Sequence, residues 1–117
     1  MTTRRHHGID YIEIPALDLA GAKDFYRKAF GWEFTDYGTE YVGITIAGRE
    51  VGGFRPETEI RAGGPLVILY SDDLEESLDR VREAGGRIVR EPFSFPGGRR
   101  FHFADPSGNE LAVWSER

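Results

Sequence analysis

The strongest constraint in this sequence is that its helix signals occur twice. Asp18-Leu19 is matched by Asp73-Leu74, Ala29 by Ala84 and Gly31 by Gly86, each pair 55 positions apart. The aspartates can cap a helix, and the glycines suit the left-handed position just past a helix end. A start and a stop repeated at one spacing imply two copies of a supersecondary unit and a pseudo-symmetric fold. Differences in loop length move the offset to about 60 by the last hairpin, which compares residues 51–54 with residues 111–114.

Each copy reads as strand, helix, three strands. Residues 11–14 (Tyr-Ile-Glu-Ile) alternate and end at Pro15, as a half-buried strand does. Leu19, Ala22, Phe25, Tyr26, Ala29 and Phe30 then recur at helical spacing up to Gly31. Strands are expected over residues 32–37, 41–47 and 50–55, the last two joined by a tight turn at Ala47-Gly48-Arg49. In the second copy residues 66–70 form a strand and Asp73 opens a capping box with Glu76. Leu74, Leu78, Val81 and Ala84 make an apolar stripe that stops at Gly85-Gly86. Residues 87–90, 99–104 and 110–115 complete that copy as strands, with Asp105-Pro106-Ser107-Gly108-Asn109 as the hairpin turn. The expected fold class is α+β: two tandem βαβββ modules, about residues 9–55 and 66–115, joined by linker 56–65 in one domain over residues 1–117.

Composition narrows the function classes. At 117 residues there is room for one core and none for separate cofactor and substrate domains. Hydrophobic residues at 39% and charged residues at 30% mark a folded protein rather than a disordered one. No apolar run approaches the roughly 20 residues of a membrane span, and residues 1–8 are basic and polar with no apolar stretch behind them, so a cytoplasmic location is expected. The lack of Cys excludes disulfides, thiolate nucleophiles and sulfur-ligated zinc. A net charge of -5 argues against nucleic acid as partner, and Arg4-Arg5 and Arg99-Arg100 are too short to reverse it.

Strand alternation separates two faces. Ile12, Ile14, Val42, Ile44, Ile46, Val67, Leu69, Phe101, Phe103, Leu111 and Val113 are expected to meet the helices. The opposite face receives Tyr11, Glu13, Tyr41, Gly43, Thr45, Gly52, Phe54, Leu66, Ile68, Tyr70, Arg100, His102, Ala112 and Trp114. That second set mixes aromatic rings with a carboxylate, a guanidinium and an imidazole. Such a mixture fits a concave small-molecule site, and it also fits a dimer interface.

The stretch from Tyr11 to Trp32, the run Asp72-Asp73-Leu74 to Ala84-Gly85-Gly86, and Asp105-Pro106-Ser107-Gly108-Asn109 together resemble the vicinal oxygen chelate superfamily of glyoxalase I, extradiol dioxygenases and bleomycin- and fosfomycin-resistance proteins. The likeness covers about residues 9–115. It implies a curved, U-shaped mixed sheet with helices on its outer face, and a homodimer. Metal-dependent members take ligands from four strand positions, which carry over to Tyr11, Gly52, Leu66 and Ala112. Three of these side chains offer no donor and a neutral Tyr11 is a poor one, so no metal and no other cofactor is expected, a divalent metal being the alternative.

The reading that follows is a metal-free small-molecule-binding protein of the glyoxalase/bleomycin-resistance type, with Tyr11, Tyr70, Arg100 and Trp114 lining the ligand site. Arg100 and His102 favour an anion or carbonyl, whereas the overall charge tolerates a cation. The alternative is a lyase or isomerase in which Glu13 and His102, neither with an obvious local partner in sequence, act as acid and base beside a carbonyl. His6-His7 is read as a terminal feature, because successive strand residues face opposite ways.

Overall fold

The structure, a computed structural model, describes residues 4–60 and 64–117. It forms two compact units, Tyr11–Pro65 and the N-terminal segment through Asp10 with Leu66–Arg117. Residues 1–3 of the basic start and 61–63 of the expected linker lie outside the described residues.

The first unit carries β1 (Ile9–Ala16, whose first two residues group with the other unit), α1 (Leu19–Phe30), β2 (Glu33–Asp36), β3 (Val42–Ile46) and β4 (Arg49–Pro56). Its strand order is β2-β3-β4-β1, with β1 and β4 parallel and the other pairs antiparallel. The helix starts after Asp18, which makes no side-chain cap bond, and ends at Gly31 with φ 73. Leu19, Ala22 and Tyr26 of α1 pack on Val42, Ile44 and Phe54, and Tyr26 stacks on Trp32 at 4.5 Å. Trp32 is therefore half-buried against the core.

The second unit repeats this plan with β5 (Leu66–Tyr70), α2 (Leu74–Glu83), β6 (Arg87–Phe95), β7 (Gly98–Ala104) and β8 (Glu110–Ser115) in the order β5-β8-β7-β6. Here β5 and β8 are parallel. Asp73 Oδ1 accepts the Glu76 N–H at 3.1 Å, so the predicted cap is formed. Leu74 and Leu78 of α2 pack on Phe101 and Val113. The Asp105 carboxylate closes the β7–β8 turn by accepting from the Ser107 and Asn109 N–H groups, both at 2.9 Å. The fold is α+β, a βαβββ module twice over.

Three expectations need correction. Strand β1 does not stop at Pro15, which pairs with Arg55 inside the ladder. Strand β6 does not stop at Arg90 but runs five residues further, through Pro92, to Phe95. Gly52 and Phe54 face the helix rather than the open side. Phe54 is fully buried, 5.6 Å from Tyr26 and 5.8 Å from Phe34. The cause is a bulge: Ile44 pairs with Gly52 and Thr45 with Glu50, so Val51 is an extra residue and alternation reverses across it.

The bulge also corrects the repeat. Glu13 pairs with Gly53, and Ile68, 55 positions after Glu13, pairs with Ala112. Ala112 thus corresponds to Gly53 rather than to Gly52.

Candidate functional site

In the second unit, strand alternation on β5, β7 and β8 brings Tyr70, Arg100, His102 and Trp114 to the face away from α2, and β6 adds Phe93 and Phe95. Arg100 pairs with Trp114 across β7–β8 and with Phe93 across β6–β7. Trp114 meets Tyr70 edge-on at 5.2 Å and Phe95 at 6.0 Å, and Phe93 stacks on His102 at 5.9 Å. The Arg100 guanidinium lies 5.5 Å from the Phe93 ring and 5.8 Å from Phe95, and Arg90 lies 3.8 Å from Phe93. Cations over ring faces are attracted by the ring quadrupole, so this wall is both apolar and positive.

The far end of the wall is fixed by polar contacts. Trp114 Nε1 donates to Asp10 at 3.0 Å and the Tyr70 hydroxyl to Glu116 at 2.7 Å. Arg4 lies 4.9 Å from the Trp114 ring and pairs with Asp10 at 3.6 Å. Burial, followed by the bond to Glu116, pushes the Tyr70 phenol up to about 12, so it remains a neutral donor.

His102 is 7% exposed, and its Nδ1 lies 2.9 Å from a Glu110 carboxylate oxygen. A carboxylate only accepts, so Nδ1 carries the proton. Burial lowers the imidazole pKa below 6.5, against the opposing pull of Glu110 and with help from Arg100. The ring is therefore neutral at neutral pH, with its lone pair on Nε2. Nε2 is buried and makes no hydrogen bond among the described residues.

In the first unit Glu13, 4% exposed, accepts from the Tyr41 hydroxyl at 2.9 Å and pairs with Arg55 at 3.0 Å. Tyr11 donates to Glu50 at 2.9 Å, and Tyr37 donates to the other Glu50 oxygen at 2.5 Å. Burial, then contact with Tyr41 and Glu50, raises the Tyr11 pKa far above its usual range, so the phenol stays protonated. Glu13 and His102 thus each have a local partner, contrary to the sequence expectation. Tyr70, Arg100, His102 and Trp114 come together within one unit, while Tyr11 and Glu13 belong to the other. Sequence reasoning missed Phe93, Phe95 and Glu110. The only available signal for Glu110 was its place eight residues after His102, across the Asp105 hairpin.

His6 and His7 do not alternate as strand residues. His7 has φ 64, and the two rings stack at 3.7 Å. With Glu76 they bring three ligand-type atoms within 4.8 Å of one another. One nitrogen of each ring is already engaged: His6 Nδ1 accepts the Asp72 N–H at 2.8 Å and His7 Nε2 contacts Ser77 Oγ at 3.1 Å. On the helix side of this unit a groove of about 230 Å³ runs between Leu69, Phe103 and Val113 of the sheet and Ser77 and Val81 of α2. It lies on the opposite face from His102. No helix among the described residues is long and apolar enough to cross a membrane.

Residues 8–113 match the model of the Glyoxalase/Bleomycin resistance protein/Dioxygenase superfamily. The chain belongs to this superfamily. It is 30% identical over 121 residues to a glyoxylase-like domain-containing protein of Didymella fabae, covering 92% of this chain and 93% of that one. It is 31% identical over 124 residues to the anthracycline biosynthesis protein DnrV of Streptomyces peucetius, covering 89% of this chain and 45% of that one. The chain spans less than half the length of several curated relatives it matches. Among solved structures it resembles methylmalonyl-CoA epimerase from Mycobacterium tuberculosis, with TM-score 0.76, 17% identity and coverage of 98% and 91%. It also resembles the Mn(II)-bound glyoxalase from Novosphingobium aromaticivorans, with TM-score 0.71, 24% identity and coverage of 96% and 40%. At these identities the likeness is one of fold.

The superfamily implies a metal, and the four carried-over positions do not fit one. With the register corrected they are Tyr11, Gly53, Leu66 and Ala112. Leu66 and Ala112 are buried and carry no donor. At Gly53 the Tyr41 hydroxyl occupies the space a Cβ would take. A hard divalent ion needs oxygen or imidazole ligands, and this set supplies one protonated phenol.

Proposed function

We propose that this protein is a small-molecule-binding member of the glyoxalase/bleomycin-resistance superfamily that binds its ligand on the open face of the second unit, without a metal at the four family positions. The observation that carries this reading is the His102 Nε2 lone pair, buried and unsatisfied among the described residues, beside an aromatic wall bearing Arg90 and Arg100. An unsatisfied buried polar atom costs about 1–3 kcal/mol, which a ligand donor can recover. Phe93, Phe95 and Trp114 supply apolar area, and the guanidinium groups favour a ligand of anionic or carbonyl character.

The test is a thermal-shift panel of aromatic acids, antibiotics, glutathione adducts and acyl-CoA thioesters, since a ligand of the native state raises the melting temperature by mass action. At least one class is expected to shift the wild type and to lose the shift in Trp114→Ala. A panel that shifts neither protein overturns the reading. Stoichiometric divalent metal in protein purified without a histidine tag overturns its metal-free part.

A second reading is favoured by the Glu110–His102 pair: a lyase or isomerase in which neutral His102 takes a proton. Turnover would then be lost in His102→Ala, and Glu13→Gln separates any acid role of Glu13 from its structural one. Unchanged turnover in both variants sinks this alternative.

A further inference from the structure

Resting on the binding reading above, we infer that Glu110 is a positioning residue that holds His102 Nε2 as a bare acceptor, and that the ligand is a planar aromatic bearing an acidic O–H or N–H.

Three observations meet here. The Glu110 carboxylate at 2.9 Å fixes the proton on Nδ1, so a neutral ring has no freedom to present a donor at Nε2. Nε2 is orphaned among the described residues although the residue is 93% buried (100 − 7), which leaves a polar requirement that the protein does not meet. Around it, Phe93 lies over the imidazole at an interplanar angle of 26°, and Arg90 and Arg100 lie against Phe93. Flat rings and delocalised cations give a flat ligand a stacking surface, and positive charge favours one whose donor proton is acidic.

Access follows from the strand beside it. Strand β6 pairs irregularly with β7 between Ile88 and Arg90 and again between Arg90 and Phe93, and Arg90 is the residue opposite His102. The register of that hairpin therefore breaks on both sides of the residue opposite His102, on the strand at the edge of the sheet, which is where a ligand would approach. No proton leaves the complex in this scheme: the ligand O–H or N–H donates to Nε2, while Nδ1–H stays on Glu110.

The probes are 4-nitrophenol and 4-nitroanisole, which share ring and nitro group and differ in the donor. Their binding is measured by calorimetry to wild type and to Glu110→Ala, a half-exposed position whose loss leaves the core intact, with circular dichroism as the fold control. The phenol is expected to bind wild type at least about tenfold more tightly than the anisole, and Glu110→Ala is expected to erase that preference while leaving anisole binding unchanged. Equal binding of the two probes to wild type, or a preference that survives in Glu110→Ala, overturns the inference and leaves the binding reading in place. If neither probe binds, the ligand class is wrong, and the broader panel decides separately whether the face binds anything.

Discussion

The buried His102 ring and the half-exposed Glu110 carboxylate form an imidazole–carboxylate pair across the β7–β8 hairpin, with Nδ1 2.9 Å from the carboxylate oxygen and Nε2 left without a hydrogen-bond partner among the described residues. The hairpin sets this geometry. His102 pairs with Ala112 and Ala104 with Glu110, so the turn at Asp105 returns the carboxylate alongside the ring.

The pair predicts how stability depends on pH. Burial lowers the His102 pKa, and burial with the neighbouring His6 lowers that of His7. In the window from 6.5 down to the folded values the unfolded chain binds more protons than the native state, so stability falls as pH drops through that window. Urea midpoints taken from about pH 8 to about pH 5 should decline, and His102→Gln should flatten the decline without abolishing it, His7 supplying the remainder. A flat wild-type profile excludes neutral burial of His102.

Glu13 is expected to be structural first. From β1 its carboxylate joins Tyr41, just before β3, to Arg55 on β4, and Arg55 continues to Glu57 at 2.9 Å. Glu13→Ala should destabilise the protein by about 2–3 kcal/mol in urea unfolding, because the Tyr41 hydroxyl loses its buried acceptor and the partly exposed Arg55 keeps only Glu57. A loss under about 0.5 kcal/mol would mean that water replaces the carboxylate without penalty.

How much of this was legible from sequence can be seen at particular residues. The helix limits at Asp73 and Gly31 were readable because capping and left-handed glycine are local rules. The faces of β5, β7 and β8 followed from alternation, which is why Tyr70, Arg100, His102 and Trp114 were grouped correctly. Alternation failed at β4, because whether Val51 bulges depends on pairing with Ile44 and Thr45. The end of β6 was hidden because Pro92 is a loop signal that an edge strand tolerates. The partners of Glu13 and His102 were out of reach for the same reason: Arg55 is 42 positions from Glu13, and only register makes them neighbours.

Phe54 gives the sharpest check of the reversed face. If it lies in the first unit's core, Phe54→Ala should cost about 3–5 kcal/mol. On the open face of the sheet the same change would cost much less. Chemical denaturation of the variant decides between the two.

Ala47 should be a site of stabilisation. It has φ 52 and Gly48 has φ 79, the two positive values of a type I′ hairpin joining β3 to β4, and an alanine pays a steric penalty there that glycine and asparagine largely avoid. Ala47→Asn or Ala47→Gly is expected to raise stability by about 0.5–1 kcal/mol, seen as a higher urea midpoint with an unchanged slope.

The adjacent glycines Gly52 and Gly53 should respond differently to the same change. A Cβ at Gly52 would run into the Ile12 carbonyl oxygen, which belongs to the neighbouring parallel strand and cannot withdraw without opening the β1–β4 ladder. A Cβ at Gly53 would meet the end of the Tyr41 ring, a side chain that can swing away at the expense of its bond to Glu13. Gly52→Ala is therefore expected to yield little folded protein, whereas Gly53→Ala should fold with a loss of about 1–3 kcal/mol, the penalty for a buried Glu13 oxygen deprived of its donor. Removing the donor beforehand makes the assignment specific: in a Tyr41→Phe background Gly53→Ala should cost less than it does alone, because the bond it breaks is already absent. Equal costs in both backgrounds would show that the penalty is the clash with the ring carbons of residue 41 rather than the lost bond to Glu13.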